Sequence, residues 1–210
     1  MSADAPVVHI VDDDKSFRTS VKRLVEATGL RSAGYESGAE LLAHLPANEP
    51  GCVLLDLRMP GLNGLELQSR LREAAPLLPI IFLTGHGDIA VTVQAMKAGA
   101  EDFLEKSASS AALLAAVERA MLRYRERALE HDRAFAMQTL VASLTKRESV
   151  VFGMVARGNR NKQIAFELGI SERTVKAHRR RIMEKLRARS LAEVVSIAER
   201  LGLLDERPPG

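Results

Sequence analysis

The chain has 210 residues, 46% of them hydrophobic and 27% charged, enough apolar surface for one large core or two small ones. No uninterrupted apolar run approaches the roughly 20 residues of a membrane span. Met1-Ser2-Ala3-Asp4-Ala5-Pro6 has no basic residue ahead of an apolar run, so it does not read as a secretory signal. The lone cysteine, Cys52, has no disulfide partner within the chain and reads as a small core residue. These features point to a soluble, cytoplasmic protein with no membrane partner. The formal charge of +3 hides an asymmetry. Residues 1–121 hold 11 Lys and Arg against 16 Asp and Glu, whereas residues 122–210 hold 19 against 11. An acidic part joined to a basic part suggests two modules with different partners, the basic one a candidate for nucleic acid.

Val7-Val8-His9-Ile10-Val11 is a short apolar strand running into Asp12-Asp13-Asp14. Phe17, Val21, Leu24 and Val25 then repeat at helical spacing until Gly29. Arg31 to Tyr35 is a weaker strand, and Ser37 caps a short helix carrying Leu41, Leu42 and Leu45. Cys52-Val53-Leu54-Leu55 runs straight into Asp56 and is broken by Met59-Pro60-Gly61, the pattern of a strand buried on both faces. A helix over Leu65–Arg72, a strand ending at Thr84, a helix over Ile89–Ala98, a strand over Asp102–Lys106 and a helix started by Ser107 or Ser109 complete the series. Strands alternating with helices predict a doubly wound α/β unit with a five-stranded parallel sheet. Right-handed crossovers bring the carboxyl ends of its strands to one edge.

That edge collects Asp12, Asp13, Asp56, Thr84 and Lys106. Taken singly, Asp12 to Asp14 fit a helix cap, Thr84 a strand end and Lys106 a solvated cation. Together, crowded carboxylates repel unless a cation joins them, and oxygen ligands beside a phosphate suit Mg²⁺. A hydroxyl and an ammonium opposite can bind phosphoryl oxygens, with Asp56 as a nucleophile forming an acyl phosphate.

Asp12-Asp13, Leu54-Leu55-Asp56-Leu57-Arg58-Met59-Pro60-Gly61, Thr84-Gly85-His86-Gly87-Asp88, Lys97-Ala98-Gly99-Ala100 and Phe103-Leu104-Glu105-Lys106 together resemble a response-regulator receiver domain, flavodoxin-like in fold and closest in wording to the FixJ subgroup. The resemblance implies that Asp56 is the phosphoacceptor and that Asp12, Asp13, Asp56 and the backbone carbonyl of Arg58 hold Mg²⁺. It also implies that Thr84 and Lys106 respond to the phosphate and that Phe103 is the switch aromatic. The positions of His86 and Arg58 suggest an influence on phosphate lifetime; a plain polar loop residue is the alternative for His86. Ser107 departs from the family, where proline usually follows this lysine across a cis bond. A cis bond before serine costs about 2.5–4 kcal/mol, so either the fold carries that strain or the peptide is trans and the ammonium sits differently. A phosphatase of the haloacid dehalogenase kind needs a second carboxylate two residues after the nucleophile, where this chain has Arg58.

Neither Pro nor Gly occurs from Ser107 to Leu144, which predicts one long helix with a break near His131 to Ala136. Its segment 122–142 reads as a helical linker, either a solvated helix or a short coiled coil with a second copy.

Thr145-Lys146-Arg147-Glu148 is a capping box opening a helix that stops at Gly158. Asn161 caps a second helix, and the tight Gly169-Ile170-Ser171 turn leads into a third reaching about Arg187. Leu191 to Leu201 forms a fourth. This spacing is that of a helix-turn-helix (HTH) in a small all-α domain of four helices. On the third helix, Val175, His178, Ile182 and Leu186 share one face; Arg173, Ala177, Arg180, Arg181 and Glu184 lie opposite, with Lys176 on the flank. From Thr145 to Arg189 there are 13 basic against 4 acidic residues, a density suited to DNA phosphates. A charge run is more often a solvated face; its placement on a turn motif favours DNA.

Leu144-Thr145-Lys146-Arg147-Glu148, Gly158-Asn159-Arg160-Asn161-Lys162-Gln163-Ile164-Ala165 and Leu168-Gly169-Ile170-Ser171-Glu172-Arg173-Thr174-Val175-Lys176-Ala177-His178 resemble the LuxR/FixJ-type DNA-binding domain. By that resemblance Lys176, Ala177 and Arg180 face bases, and Lys162, Thr174 and Arg179 contact the DNA backbone. The helical projection sets Arg179 close to the buried face, and His178 reads as packed or capping.

The expected organisation is a receiver over 1–121, a linker over 122–142 and an HTH domain over 143–207. The expected function is a transcriptional response regulator, phosphorylated at Asp56 by a sensor histidine kinase and dimerising as a result. It is not an enzyme beyond its own phosphorylation and dephosphorylation. Promoter DNA, a second copy of the chain and RNA polymerase are the expected partners. The competing reading is a constitutive DNA-binding protein whose first module is only a dimerisation platform.

Overall fold

The computed structural model describes residues 5–45, 49–85 and 89–203. The chain divides into two compact units, residues 1–128 and 129–210. In the first, elements alternate: β1 Val7–Val11, α1 Lys15–Glu26, β2 Arg31–Tyr35, α2 Gly38–His44, β3 Gly51–Asp56, α3 Gly64–Ala74, β4 Ile80–Thr84, α4 Ile89–Lys97, β5 Asp102–Glu105 and the first part of α5 Ser110–Ala142, whose residues from 129 onward count to the second unit. The five strands form one parallel sheet in the order β2-β1-β3-β4-β5, with Val11 beside both Tyr35 and Leu55, Asp56 beside Leu83 and Thr84 beside Glu105.

Period-two alternation sorts the sheet's side chains into two cores. Val8, Ile10, Cys52, Leu54, Ile81 and Leu83 pack against Val21 and Val25 of α1 and Leu113, Ala116 and Val117 of α5. Val11, Val53, Leu55 and Phe82 pack on the other face against Leu41, Leu67, Leu71 and Ala95 of α2 to α4. All six residues of β3 are buried, which places Asp56 at the end of the central strand. The turn after it is held by two glycines. Gly61 takes φ +78, open only to glycine at little cost. A β-carbon on Gly64 would lie 2.7 Å from the Asp56 carbonyl oxygen, so α3 starts hard against the strand end.

Local signals set most boundaries. Ser37 accepts from Glu40 N–H, and Asn63 with Glu66 closes a capping box on α3. Ser109 Oγ accepts from Ala112 N–H, which makes Ser109 the cap of α5. The break expected near His131 to Ala136 does not occur; α5 is helical throughout Ser110–Ala142. Ala, Arg, Glu, Leu and Met dominate that stretch and all favour helix.

In the second unit, α6 Lys146–Ala156, α7 Asn161–Leu168, α8 Glu172–Leu186 and α9 Leu191–Arg200 surround Val151, Phe152, Val155, Ile164, Val175, Ile182, Leu186, Val194 and Ile197. The capping box of Thr145 and Glu148 is present. Asn161 does not cap α7: it is the first helical residue, and Arg160 occupies the cap. The Asn161 carboxamide is instead turned to Arg179.

His9 sits fully buried on β1, its Nδ1 3.2 Å from the Tyr35 hydroxyl. Its Nε2 is 3.5 Å from a Glu49 oxygen, too far for a hydrogen bond. Burial, with Arg31 adding repulsion, lowers its pKa from 6.5 to about 4. The folded state therefore resists a proton that the unfolded chain accepts. Stability is full above about pH 6.5 and declines as pH falls to about 4, by about 3 kcal/mol for a shift of this size. Unfolding curves measured across that window should show this loss, and His9→Leu should flatten it.

Candidate functional site

The acidic triplet divides its labour. Asp14 caps α1, accepting from Ser16 N–H at 2.7 Å and Phe17 N–H at 3.2 Å, and these bonds lower its pKa. Asp12 and Asp13 are left for the strand edge. Asp12 is buried, with Oδ1 accepting from Asp14 N–H at 2.9 Å; its backbone carbonyl accepts from Arg18 Nη1 at 2.6 Å. Asp13 is exposed. Asp56, 4% exposed, accepts from the Arg58 backbone N–H at 3.1 Å, so the Arg58 turn folds back over the carboxylate.

Lys106 follows β5 directly, its backbone N–H bonded to the Thr84 carbonyl at 2.7 Å. Its Nζ lies 2.7 Å from Asp12 Oδ2 and 2.8 Å from Asp56 Oδ2. The described residues contain no cis peptide, and with Ser107 after it the ammonium still reaches both carboxylates. Burial pulls Lys106 down, but Asp12 and Asp56 outweigh it and hold its pKa above the ordinary lysine value. Burial raises Asp12, against the pull of Lys106. Thr84 is buried at the end of β4. Phe103 is half-buried on β5, packed against the α2–α4 core with its ring 6.2 Å from that of Phe82. His86 lies outside the described residues.

One oxygen from each of Asp12, Asp13 and Asp56 lies within 4.8 Å of the others. Asp12 Oδ2 is buried without a well-directed donor; Lys106 approaches it closely but off the hydrogen-bonding direction. An all-oxygen donor set with one under-satisfied carboxylate atom fits a hard divalent cation such as Mg²⁺.

In the helical unit, Gly169 at φ +62 ends α7 and Ser171 caps α8, accepting from Thr174 N–H. Val175, Ile182 and Leu186 of α8 are buried, whereas Arg173, Thr174, Lys176, Ala177, Arg180 and Arg181 are exposed, as is Lys162 on α7. Arg180 pairs with Glu184 at 2.8 Å, an exposed i,i+4 contact of little worth. Arg179 is different: half-buried, it donates to Asn161 Oδ1 at 2.5 Å and ties α8 to the start of α7. His178 is half-buried and packed, its Nδ1 shielded from solvent.

Two contacts escaped the sequence reading. Phe17 lies under the Lys106 ammonium, 4.8 Å from ring centroid to Nζ; its place in the apolar stripe of α1 made it look like core. Glu148, buried, pairs with Lys185 at 2.7 Å and accepts from Thr145 N–H at 2.9 Å, locking α6 to α8. Only the capping-box half of that arrangement is local enough to read from spacing. Lys185 above all holds the Glu148 pKa down to about 2. Its stabilisation is thus present above about pH 4.5 and lost as pH falls toward 2. Glu148→Gln should destabilise the chain by about 1–3 kcal/mol in urea unfolding at neutral pH, the range for a charge-assisted bond.

Residues 8–118 match the family model described as response regulator receiver domain, and residues 142–198 match that of bacterial regulatory proteins, luxR family. The chain is 43% identical over 197 residues to Nodulation protein W of Bradyrhizobium diazoefficiens, covering 94% of this chain and 87% of the relative. It is 41% identical over 192 residues to Transcriptional regulatory protein FixJ of Azorhizobium caulinodans, covering 91% and 90%. Among solved structures, response regulator StyR aligns with a TM-score of 0.77 at 43% identity, covering 93% of this chain and 99% of that one. Both halves of the chain are thus matched, and the chain belongs to the response regulators that couple a receiver domain to a LuxR-type DNA-binding domain.

Proposed function

We propose that this regulator is switched by phosphorylation of Asp56, donated by a sensor histidine kinase, and that phosphorylation drives dimerisation and promoter binding. The observation that carries the reading is the Lys106 ammonium set between the Asp12 and Asp56 carboxylates at the sheet's carboxyl edge. An Asp56 oxygen attacks the phosphorus of a phosphohistidine. The new P–O bond forms as the P–N bond breaks, and its electron pair stays on the departing imidazole. This loose transfer needs positioning and charge neutralisation more than covalent help. Lys106 leaves its carboxylate partners for the incoming phosphoryl oxygens, and the Arg58 N–H keeps the carboxylate oriented. Asp12, Asp13, Asp56 and the Arg58 carbonyl would hold Mg²⁺, which supplies positive charge against the phosphoryl oxygens when bound.

Thr84 and Phe103 relay the change to α4 and β5. The helix α4 exposes Ile89, Val93 and Met96 at 82%, 46% and 44%, an apolar face suited to pairing two receivers. Pairing sets two helical units on symmetric half-sites. There Lys176, Ala177 and Arg180 read bases, Lys162 and Thr174 contact phosphates, and Arg179 steadies α8 from inside. RNA polymerase is the further partner of a bound dimer, and the cytoplasm is where all three meet. The platform reading draws on Ser107 after Lys106; the ammonium's reach to both carboxylates supports the phosphorylation reading instead.

Acetyl phosphate with Mg²⁺ should add one phosphoryl mass to the wild-type chain, none to Asp56→Asn, and none after chelation by EDTA. Phosphate-dependent DNA binding should vanish in Asp56→Asn with the fold intact by circular dichroism; activation that persists in this variant sinks the proposal. Arg180→Ala should weaken binding to the preferred site by about 1–3 kcal/mol relative to other sequences. An equal loss on every duplex would make Arg180 a phosphate contact instead.

A further inference from the structure

We infer that Phe17 is a positioning residue for the phosphoryl-transfer site, its ring holding the Lys106 ammonium against the carboxylates by a cation–π contact. The inference rests on Asp56 being the phosphoacceptor. Lys106 Nζ has carboxylate oxygens at 2.7 and 2.8 Å on one side and the Phe17 ring on another, 4.8 Å to its centroid. That distance is inside the roughly 6 Å over which the negative face of a ring attracts a cation. The Asp14 cap binds the Phe17 N–H and so holds the backbone from which the ring projects.

Packing alone does not account for a phenylalanine at this point. Farther along the same stripe of α1, Val21 and Val25 are buried, but Phe17 is only half-buried. It lines, with Lys106, Leu24 and Leu113, a cleft of about 190 Å³. A branched aliphatic would cover the same apolar neighbours. What the ring adds is a face toward charge and a wall against water, which strengthens every Coulombic contact of the ammonium behind it. Lysine has a flexible four-carbon stem and no planar fork to fix its head. The segment after it, Ser107-Ala108-Ser109, holds no proline to stiffen the approach. Phe17 supplies that constraint from the neighbouring helix, so that the ammonium waits where the phosphoryl oxygens arrive.

Because Phe17 also fronts a cleft that a protein donor could touch, the test uses acetyl phosphate, which needs no docking surface. The full-length chain, Phe17→Leu and Phe17→Tyr are phosphorylated with Mg²⁺ and followed by mass. The Lys106 ε-methylene protons are followed by NMR without phosphodonor. Phe17→Leu should react about two- to fivefold more slowly, the factor that an exposed to half-exposed cation–π contact represents. It should also lose the upfield ring-current shift of those protons, whereas Phe17→Tyr keeps both rate and shift. A wild-type rate in Phe17→Leu would falsify the inference, and so would a Phe17→Tyr protein as slow as Phe17→Leu, which would mean shape alone matters. Failure of the wild-type chain itself to take up phosphate would overturn the phosphoacceptor reading first, and is distinguished by that wild-type trace.

Discussion

Crowding of negative charge at the carboxyl edge of the sheet is the constraint around which the receiver unit is built. Asp12 and Asp56 end neighbouring strands, and burial strips both of the water that would screen them. Two carboxylates set side by side without water repel each other, and burial raises the pKa of Asp12. Lys106 resolves this in the described structure by standing between them, and it can do so because β5 ends one residue before it, two strands away from β3. A group that neutralises two carboxylates is also one that a phosphoryl group can recruit. In the proposed switch, the ammonium that offsets the resting carboxylates is also the positive charge that meets the phosphoryl group.

The helical unit solves a related problem differently. Its one buried carboxylate among the described residues, Glu148, accepts from both Lys185 and the Thr145 N–H, and it locks α6 to the C-terminal half of α8. At the middle of α8 Arg179 is bonded to Asn161. These ties use up two of the cations on the helix for internal structure. They leave Arg173, Lys176, Arg180 and Arg181 outward, so the exposed cationic surface of α8 is smaller than its charge count implies.

The two units also differ in how their exposed faces are used. On α4 the exposed side chains include the apolar Ile89, Val93 and Met96, and the helix buries only Ala95 among its described residues. On α8 they include the cationic Arg173, Lys176, Arg180 and Arg181. An apolar face seeks a like surface, and a cationic one seeks phosphate. The proposed sequence of pairing followed by DNA binding follows from those two chemistries.

The strand ends, the caps at Ser37 and Thr145, and the sorting of α8 into buried and exposed faces could all be read along the chain. Each depends on residues within a turn or on a period of two or 3.6. The same locality explains how Asp12, Asp13, Asp56, Thr84 and Lys106 were found together: parallel strands with right-handed crossovers place their carboxyl ends on one edge whatever the packing details. Other features were settled only in three dimensions. Which of three consecutive aspartates caps α1, that Asn161 faces Arg179 rather than capping its own helix, and that α5 continues past His131 each turn on a competition between local signals. That Phe17 faces an ammonium and Glu148 a distant lysine depends on elements 89 and 37 residues apart in sequence. Hydrophobic periodicity records that a side chain turns inward; it carries no information about which charge, from which strand or helix, it meets there.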